Sequence, residues 1–177
     1  GYSVRCIKNT PPPAYPSNYV HCLPAGDTTD IVAVISSATG EIWMDRNLGA
    51  SQVAADYDDA DSYGDLFQWG RFADGHQCRT AGTTGTSATT AVPFTGGAWD
   101  SLFIITTMGS NWLSTPNDTL WQGVSGVNNP CPTGYRIPTI SEWEAEFPGS
   151  DIQISREIAI NSFLKLPLAG YRNHDGL

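Results

Sequence analysis

Positive charge is scarce in this chain, and its scarcity excludes two kinds of partner. Of 177 residues only nine are Lys or Arg, against eighteen Asp or Glu, which gives a formal net charge of −9. Such a surface repels a phosphate backbone, so we expect no nucleic-acid binding. The two lysines, Lys8 and Lys165, cannot form the polybasic patch that holds an anionic membrane. The longest aliphatic run, residues 31–35, is far shorter than the ~20 residues that cross a bilayer, so we also expect no membrane insertion.

The chain also lacks a CxxC pair and any two cysteines close enough in sequence to begin a zinc site. Its cysteines are even in number: Cys6, Cys22, Cys78 and Cys131. With charged residues at only 15%, this favours an exported protein that carries disulfides, rather than a cytosolic domain with four buried thiols. Because the first residue is Gly1 and no signal stretch follows, we expect a processed mature chain. Spacing alone leaves every pairing of the four cysteines open.

Three segments are predicted along the chain: a strand over residues 1–8, a spacer over residues 9–29 and a globular domain over residues 30–177. Alternation places Tyr2, Val4 and Cys6 on one face of the strand, and the polar Ser3 and Arg5 on the other. The spacer is rich in proline, which favours an extended polyproline path. We therefore expect it to be semi-rigid and to lie outside the core.

The start of the globular part predicts a hairpin, because two apolar runs flank a turn-like sequence at residues 36–40. The spacing of apolar residues over 63–71 predicts a short helix packed on one side. The low-complexity stretch 80–90 predicts a surface loop that buries almost nothing. Residues 94–108 predict a mixture of loop and strand.

Towards the end of the chain the signals favour two helices. Thr139 and Glu142 form a capping-box pattern, so a helix is predicted from Thr139 to about Phe147, ended by the Pro148-Gly149 pair. A second helix is predicted over residues 155–163. Residues 164–170 then predict a strand that Pro167 interrupts.

Several of these stretches resemble a known family. They are GEIWMDRNLGAS (40–51), SYGDLFQWGRFADGHQCR (62–79), LWQGVSGVNNPCPTGYRIPTISEWEAE (120–146) and LKLPLAGYR (164–172). Together they resemble the Fibrobacter succinogenes major paralogous domain, a family of exported bacterial domains, and GYRIPTISEWEAE is also similar to formylglycine-generating-enzyme-like domains. The resemblance covers roughly residues 30–177. It implies an α+β, C-type-lectin-like fold: a small twisted antiparallel sheet, two helices and long loops, here with an N-terminal extension strand.

The order of the motifs departs from the family pattern. A segment like GYSVRCIK normally forms the last strand of such a domain, whereas here it comes first, and the chain ends where the family would continue. A sheet that lacks a strand leaves unpaired backbone groups, which a strand from a neighbour can satisfy. We therefore expect an extracellular, pilus-like fibre on a bacterial surface, in which identical subunits donate this strand head to tail. The expected subunit interface is Tyr2, Val4, Cys6 and Ile7.

Two plainer interpretations stay open for residues 1–8. The strand completes its own domain in a permuted arrangement, or the chain is one window of a tandem array. The alternative function is a carbohydrate- or peptide-binding module of a surface adhesin. We expect no enzyme, because the sequence shows no convergent set of nucleophile, base and orienting group.

Candidate ligand sites are few. An acidic loop has alternating oxygen ligands suited to calcium, at Asp56, Asp58, Asp59 and Asp61. A solvated turn with Asp61 or Ser62 as a helix N-cap is the favoured interpretation, and apart from such a calcium ion we expect no cofactor. Asp74 and His76 have the composition of an oriented base, although a histidine in a glycine-rich turn is usually structural.

Tryptophans offer stacking surfaces for glycans. The pattern places Trp43, Trp69 and Trp143 in the core, and leaves loop residues as candidate ligand contacts: Trp99, Trp112 and Trp121. Anchoring of loops to the domain is the favoured role even for these. Asn117 begins an Asn-x-Thr triplet and is a candidate glycosylation site.

The resemblance also bears on the disulfides. Cys78 and Cys131 both lie in family-like loops and are expected to be able to pair, whereas Cys6 and Cys22 flank the spacer. If residues 1–8 are donated to a neighbour, a disulfide between subunits becomes an option.

Overall fold

The computed structural model describes residues 1–8, 14–24, 27–92, 97–106, 111–148 and 155–173. The strands are β1 (Ile7–Lys8), β2 (Ala33–Ile35), β3 (Ile42–Met44), β4 (Thr83–Thr84), β5 (Phe103–Ile104) and β6 (Tyr135–Arg136). The helices are α1 (Ile140–Glu146), α2 (Arg156–Asn161) and a 3-10 turn at Ala60–Ser62. Short strands, short helices and long connections place the described part of the chain in the mixed α+β class, as predicted.

Residues 1–8 supply the sheet with a central strand rather than an extension. The antiparallel sheet has the order β2-β3-β1-β6, so β1 lies between β3 and β6. Ile7 is opposite Trp43 on one side and Arg136 on the other. The predicted hairpin is confirmed as β2 and β3, with Val34 opposite Trp43. The sheet of this chain is therefore completed by its own first residues.

The predicted helix over residues 63–71 is wrong. Gly64 and Gly70 have φ of 69° and 77°, in the left-handed region that interrupts a right-handed helix. Between them, Phe67 exchanges both backbone hydrogen bonds with Tyr2. Neither Asp61 nor Ser62 is an N-cap, because the 3-10 turn has Asp59 in that position.

The stretch 80–90 is also more structured than a surface loop. Its β4 pairs in parallel with β5, and Ala88 is completely buried. The backbone N–H of Ala88 donates to Trp112 O, and Ser114 N–H donates to Ala88 O. A small side chain allows this close packing, which composition alone does not reveal. Of the predicted 94–108 segment, residues 94–96 and 107–108 lie outside the described residues.

Both predicted helices near the end of the chain are confirmed. Thr139 and Glu142 form the capping box, and Arg136 lowers the pKa of Glu142 to about 2. Ser155 caps α2 through Ile158 N–H. The strand predicted over residues 164–170 is not formed; its backbone instead bonds irregularly, with Leu166 N–H donating to Ala159 O and Leu168 N–H donating to Tyr57 O.

Helix α1 is fixed to the hairpin through one carboxylate. Glu146 accepts hydrogen bonds from Ser36 Oγ at 2.6 Å, from Trp43 Nε1 at 3.1 Å and from Thr39 Oγ1. Trp143 packs edge-on against Trp43, with ring centroids 5.7 Å apart. Trp143 and Glu146, three residues apart on one face of α1, thus hold the helix against β3.

A carboxylic acid lies deep in the molecule at Asp65. Its neighbour Gly49 has φ of 82°, and a Cβ there would lie 2.2 Å from the Asp65 carboxyl carbon, so only glycine fits. Asp65 is 3% exposed, and its Oδ2 has no hydrogen-bond partner among the described residues. Burial raises the pKa of Asp65 to about 7, with Arg79 opposing the shift. The buried hydroxyls of Tyr15 and Tyr19, whose pKa values burial also raises, are electrostatically coupled to it.

Protonation of the Asp65 carboxyl makes the stability of the fold depend on pH. In the unfolded chain Asp65 loses its proton near pH 3.8, whereas in the folded protein it keeps the proton up to about pH 7. Ionisation of Asp65 therefore destabilises the folded state. The stabilising contribution is complete below the unfolded pKa and is lost as the pH rises towards the folded pKa. As the pH rises between these two values, the free energy of unfolding of Asp65→Asn is therefore expected to increase relative to that of the unmodified chain, by up to about 1.4 kcal/mol for each pH unit. Urea denaturation over this range measures the difference; a difference that does not change with pH would contradict the assignment.

Candidate functional site

The segment 1–8 is bonded to the domain along one edge. Phe67 exchanges hydrogen bonds of 2.8 and 2.9 Å with Tyr2, Leu48 N–H donates to Val4 O, and Met44 N–H donates to Cys6 O. At its end, β1 adds the pairing with β6 on the other edge. The segment therefore has partners in several stretches that are far apart in the sequence, and it joins them into one sheet.

The expected alternation of apolar and polar faces fails because both faces of the segment are covered. Val4 and Cys6 belong to a core cluster with Phe67 and Tyr135, whereas Ile7 packs in another with Trp43. Of the expected interface residues, only Tyr2 is exposed, at 66%. Each buried aliphatic side chain of this size contributes roughly 2 kcal/mol, so the segment is part of the core of its own domain.

Arg5, expected on a polar face, is buried. Its Nε donates to Asn47 Oδ1 at 3.1 Å, and its Nη1 donates to Met44 O at 3.1 Å and Leu164 O at 2.8 Å. Burial lowers the pKa of Arg5 to about 9, with Asp45 opposing the shift, so the guanidinium is charged at neutral pH. A buried charge needs its acceptors, and a shift of the strand by one residue would remove all three. Arg5 thus fixes the register of the segment.

The disulfides join Cys6 to Cys131 and Cys22 to Cys78. A pairing of Cys78 with Cys131 is therefore wrong. The pairing follows from the path of the backbone: Val20 N–H donates to Ala73 O, which brings Cys22 to Cys78. Disulfides are typical of an oxidising environment, and two of them support the expectation of an exported protein.

Part of the predicted spacer belongs to the core. Tyr19 is 8% exposed and packs in the same cluster as Cys6, and its ring lies 4.7 Å from that of Tyr15. Thr133 N–H donates to Ala14 O at 2.7 Å, and Gln77 Nε2 donates to Val20 O at 2.8 Å. Residues 14–24 are therefore fixed to the domain, while residues 9–13 and 25–26 lie outside the described residues.

A groove of about 580 Å³ borders residues 2–5. On this edge Tyr2 bridges Tyr171 and Arg172 N–H donates to Gly1 O, whereas the backbone of Arg5 has no backbone hydrogen-bond partner among the described residues, so the edge is unpaired beyond the first residues of the segment. The groove is mainly apolar, and its walls include Trp69, Trp121, Trp143, Ile137, Leu166 and Pro167. An unpaired strand edge beside an apolar groove is the arrangement that accepts an additional extended chain.

Three aromatic side chains are exposed next to this groove: Tyr2, Trp69 and Tyr171, at 66%, 56% and 66%. Tyr2 is paired across strands with both Phe67 and Tyr171. Trp69, predicted to be a core residue, is thus on the surface, with its ring 4.9 Å from that of Trp121. We call Tyr2, Trp69 and Tyr171 the aromatic platform. The predicted helix over residues 63–71 places Trp69 in the core, and because that helix does not form, the sequence does not indicate this platform.

The three tryptophans that are candidate ligand contacts are buried or half-buried in the structure. Trp112 and Trp121 are each 6% exposed, and their indole N–H groups donate to Trp69 O and Arg71 O. Trp99 is half-buried, and its carbonyl accepts from Arg71 Nη2 at 2.9 Å. All three therefore anchor loops, which was the favoured interpretation.

His76 is not available as a base. It is completely buried, its Nδ1 lies 2.7 Å from Asp74 Oδ1, and its Nε2 accepts from Gln68 N–H at 3.0 Å. Nδ1 therefore carries the proton, and burial lowers the pKa of His76 to about 4, so the ring is neutral. Asp74 also accepts from Arg71 at 2.8 Å. The hydrogen bonds among these side chains stabilise the fold of residues 62–79.

The acidic loop does not assemble a metal site. Within the described residues no group of three or more His, Cys, Asp or Glu side chains is arranged to hold a metal ion. Asp59 accepts from Gln52 Nε2 and Ala55 N–H, and Asp56 accepts from Tyr57 N–H, while Asp58 and Asp61 are exposed. The carboxylates of Asp56 and Asp59 therefore stabilise the turn through hydrogen bonds within it. Asn117 is exposed, with its Oδ1 accepting from Thr119 N–H and Oγ1, and its glycosylation stays a prediction.

None of the helices in the described part of the chain is long and apolar enough to cross a membrane. Comparisons with protein-family models, with curated proteins and with solved structures find no match to this chain. The geometry of the 1–8 segment and the surfaces beside it therefore provide the evidence for a function.

Replacement of Arg5 tests whether the segment is held as described. Arg5→Ala leaves three buried acceptors without a donor, so we expect a loss of roughly 3 kcal/mol in the free energy of unfolding, measured by urea denaturation. Arg156→Ala is the matched control, since that arginine is exposed and, among the described residues, pairs with the neighbouring Glu157 and the Tyr57 ring, and we expect no measurable change. Equal losses in the two variants would contradict a special role for Arg5.

Proposed function

We propose that this chain is a structural subunit of an extracellular filament, in which residues 1–8 are exchanged between neighbouring copies. In the isolated chain the segment completes its own sheet. In the filament it occupies the same place in the next subunit, whose segment in turn passes to the one after it. The observation that carries the proposal is the central position of this segment in the sheet, together with the short, proline-rich connection that joins it to the rest.

The exchange preserves the contacts of the strand. Arg5 with its three acceptors, Ile7 opposite Trp43 and Tyr2 opposite Phe67 are all made between the segment and the domain, so an identical domain offers the same partners. Domain swapping of this kind costs little contact energy, and a head-to-tail exchange that does not close into a ring gives an open filament.

The connection itself favours exchange. Residues 9–13 read Asn-Thr-Pro-Pro-Pro, and proline is confined to one backbone dihedral and has no N–H to donate. Short hinge loops promote domain swapping. The anchored segment 14–24 then marks where the exchanged part ends.

The setting of the proposal is the surface of a bacterial cell. Two disulfides suit an oxidising compartment. The antiparallel sheet, the two helices and the long loops suit a C-type-lectin-like domain of the family that the sequence resembles. A filament is a structural role, and the enclosed His76 supports a function other than catalysis.

Assembly can be tested with the unmodified chain and a peptide. The chain is refolded at increasing concentration and examined by negative-stain electron microscopy. We expect filaments whose length increases with concentration. A synthetic peptide of residues 1–8 is expected to shorten them by occupying acceptor domains, whereas the same peptide with Arg5→Glu and Ile7→Asp is not. Monomers at every concentration would contradict the proposal, as would equal shortening by both peptides.

A second candidate function is favoured by the aromatic platform. Exposed rings of Tyr2, Trp69 and Tyr171 offer apolar faces on which sugar rings stack, beside the groove that Trp121 and Trp143 also line. The chain would then be a glycan-binding module of a surface adhesin.

A glycan array on the purified monomer distinguishes this second function. If sugars bind at the platform, Trp69→Ala is expected to lower the affinity at least tenfold, at a cost of about 1.4 kcal/mol, while Trp69→Phe retains most of it. Binding that both variants retain unchanged would exclude the platform, and filament formation without glycan binding would leave the structural role alone.

A further inference from the structure

We infer that the Cys6–Cys131 disulfide links neighbouring subunits of the filament covalently, whereas Cys22–Cys78 stays within each subunit. This inference rests on the proposed function. Its partner is a second copy of the same chain. It follows from where the chain divides between the exchanged and the retained part.

The point of division lies between residues 8 and 14. Beyond it, the chain is held to its own domain by Thr133 N–H on Ala14 O, by Val20 N–H on Ala73 O and by the bond from Cys22 to Cys78. Before it, every contact is one that a neighbour reproduces. Cys6 therefore moves with the exchanged segment, while Cys22 and both of the other cysteines remain.

The register of the segment brings the two sulfur atoms together again in the next subunit. Arg5 reaches three acceptors on two separate stretches of the domain, Met44 and Asn47 on one and Leu164 on the other, so the adjacent Cys6 has one position. Its own carbonyl accepts from Met44 N–H at 2.9 Å. In that position the Cα atoms of Cys6 and Cys131 are 5.9 Å apart, within the range for a disulfide.

Each subunit then forms two disulfides with its neighbours, one through its Cys6 and one through its Cys131. Cys6 of one copy bonds to Cys131 of the next, so a continuous covalent chain runs along the whole filament. Cys6 is 0% exposed and Cys131 is 2% exposed, which shields the finished bond from reductants. Strand exchange by itself is reversible, and this bond makes it permanent.

The chemistry requires an acceptor of electrons. Formation of the bond removes two protons and two electrons from the thiols of Cys6 and Cys131. A disulfide donor takes them up in two exchange steps through a mixed disulfide: oxidised glutathione is reduced to two molecules of glutathione, or the disulfide of a thiol oxidase is reduced to its dithiol. Because the site is closed once the strand is seated, the bond forms while the segment enters the neighbouring domain.

Isotope mixing tests the inference on the unmodified chain. Equal amounts of ¹⁴N- and ¹⁵N-labelled chain are reduced, mixed and assembled with oxidised glutathione, and the disulfide-linked peptides are analysed by mass spectrometry without reduction. We expect Cys6–Cys131 peptides that combine the two labels to be as frequent as those with one label, and Cys22–Cys78 peptides to carry a single label only. On a denaturing gel without reductant, the filaments should give a ladder of multiples of 19.0 kDa that reductant collapses to one band.

Variants separate the two disulfides. Filaments of Cys6→Ser with Cys131→Ser are expected to lose the ladder, whereas Cys22→Ser with Cys78→Ser keeps it. Filaments in which Cys6 and Cys131 remain free thiols would overturn the inference and leave strand exchange to stand without a covalent link. Cys6–Cys131 peptides that carry only one label would overturn both, because they place each segment in its own domain. Absence of filaments under all conditions would instead contradict the proposed function, and the inference with it.

Discussion

Insertion of residues 1–8 between β3 and β6 is the interaction on which the rest of this structure depends. Without it, β3 and β6 have no common partner, and the core cluster around Cys6 loses its centre. The buried guanidinium of Arg5 adds a second constraint, because it ties the segment to acceptors near residues 44, 47 and 164 at once. A strand with such distant partners contributes more to the integrity of the domain than its eight residues suggest. In the proposed filament, the same property would make it an effective link between subunits.

The sequence allowed much of the local structure to be predicted. The capping box at Thr139 and Glu142, the cap at Ser155 and the hairpin around residues 36–40 each depend on residues close together in the chain, and all are present. Features that depend on distant residues escaped prediction. The burial of Arg5 and the pairing of Cys6 with Cys131, 125 positions away, are decided by what the folded chain brings together.

The candidate site shows the same division. The order of the motifs predicts that residues 1–8 supply a strand which the family has at the end of the domain, whereas the sequence does not predict the exposed ring of Trp69. Gly64 and Gly70 interrupt the predicted helix and turn that ring outwards, beside Tyr2 and Tyr171. If the segment is exchanged, Tyr2 comes from one subunit and the other two rings from the next. The aromatic platform would then be complete only at a joint between subunits, which connects the two candidate functions of this surface.

The path of the chain between residues 8 and 14 decides the account most directly, and a cryo-electron microscopy map of assembled filaments can trace it. The account predicts density that leads from Lys8, seated between β3 and β6 of one subunit, across the joint to Ala14 of its neighbour. Continuous density from Lys8 back to Ala14 of the same subunit would contradict strand exchange, and the contacts that join the subunits would then have to be sought on another surface.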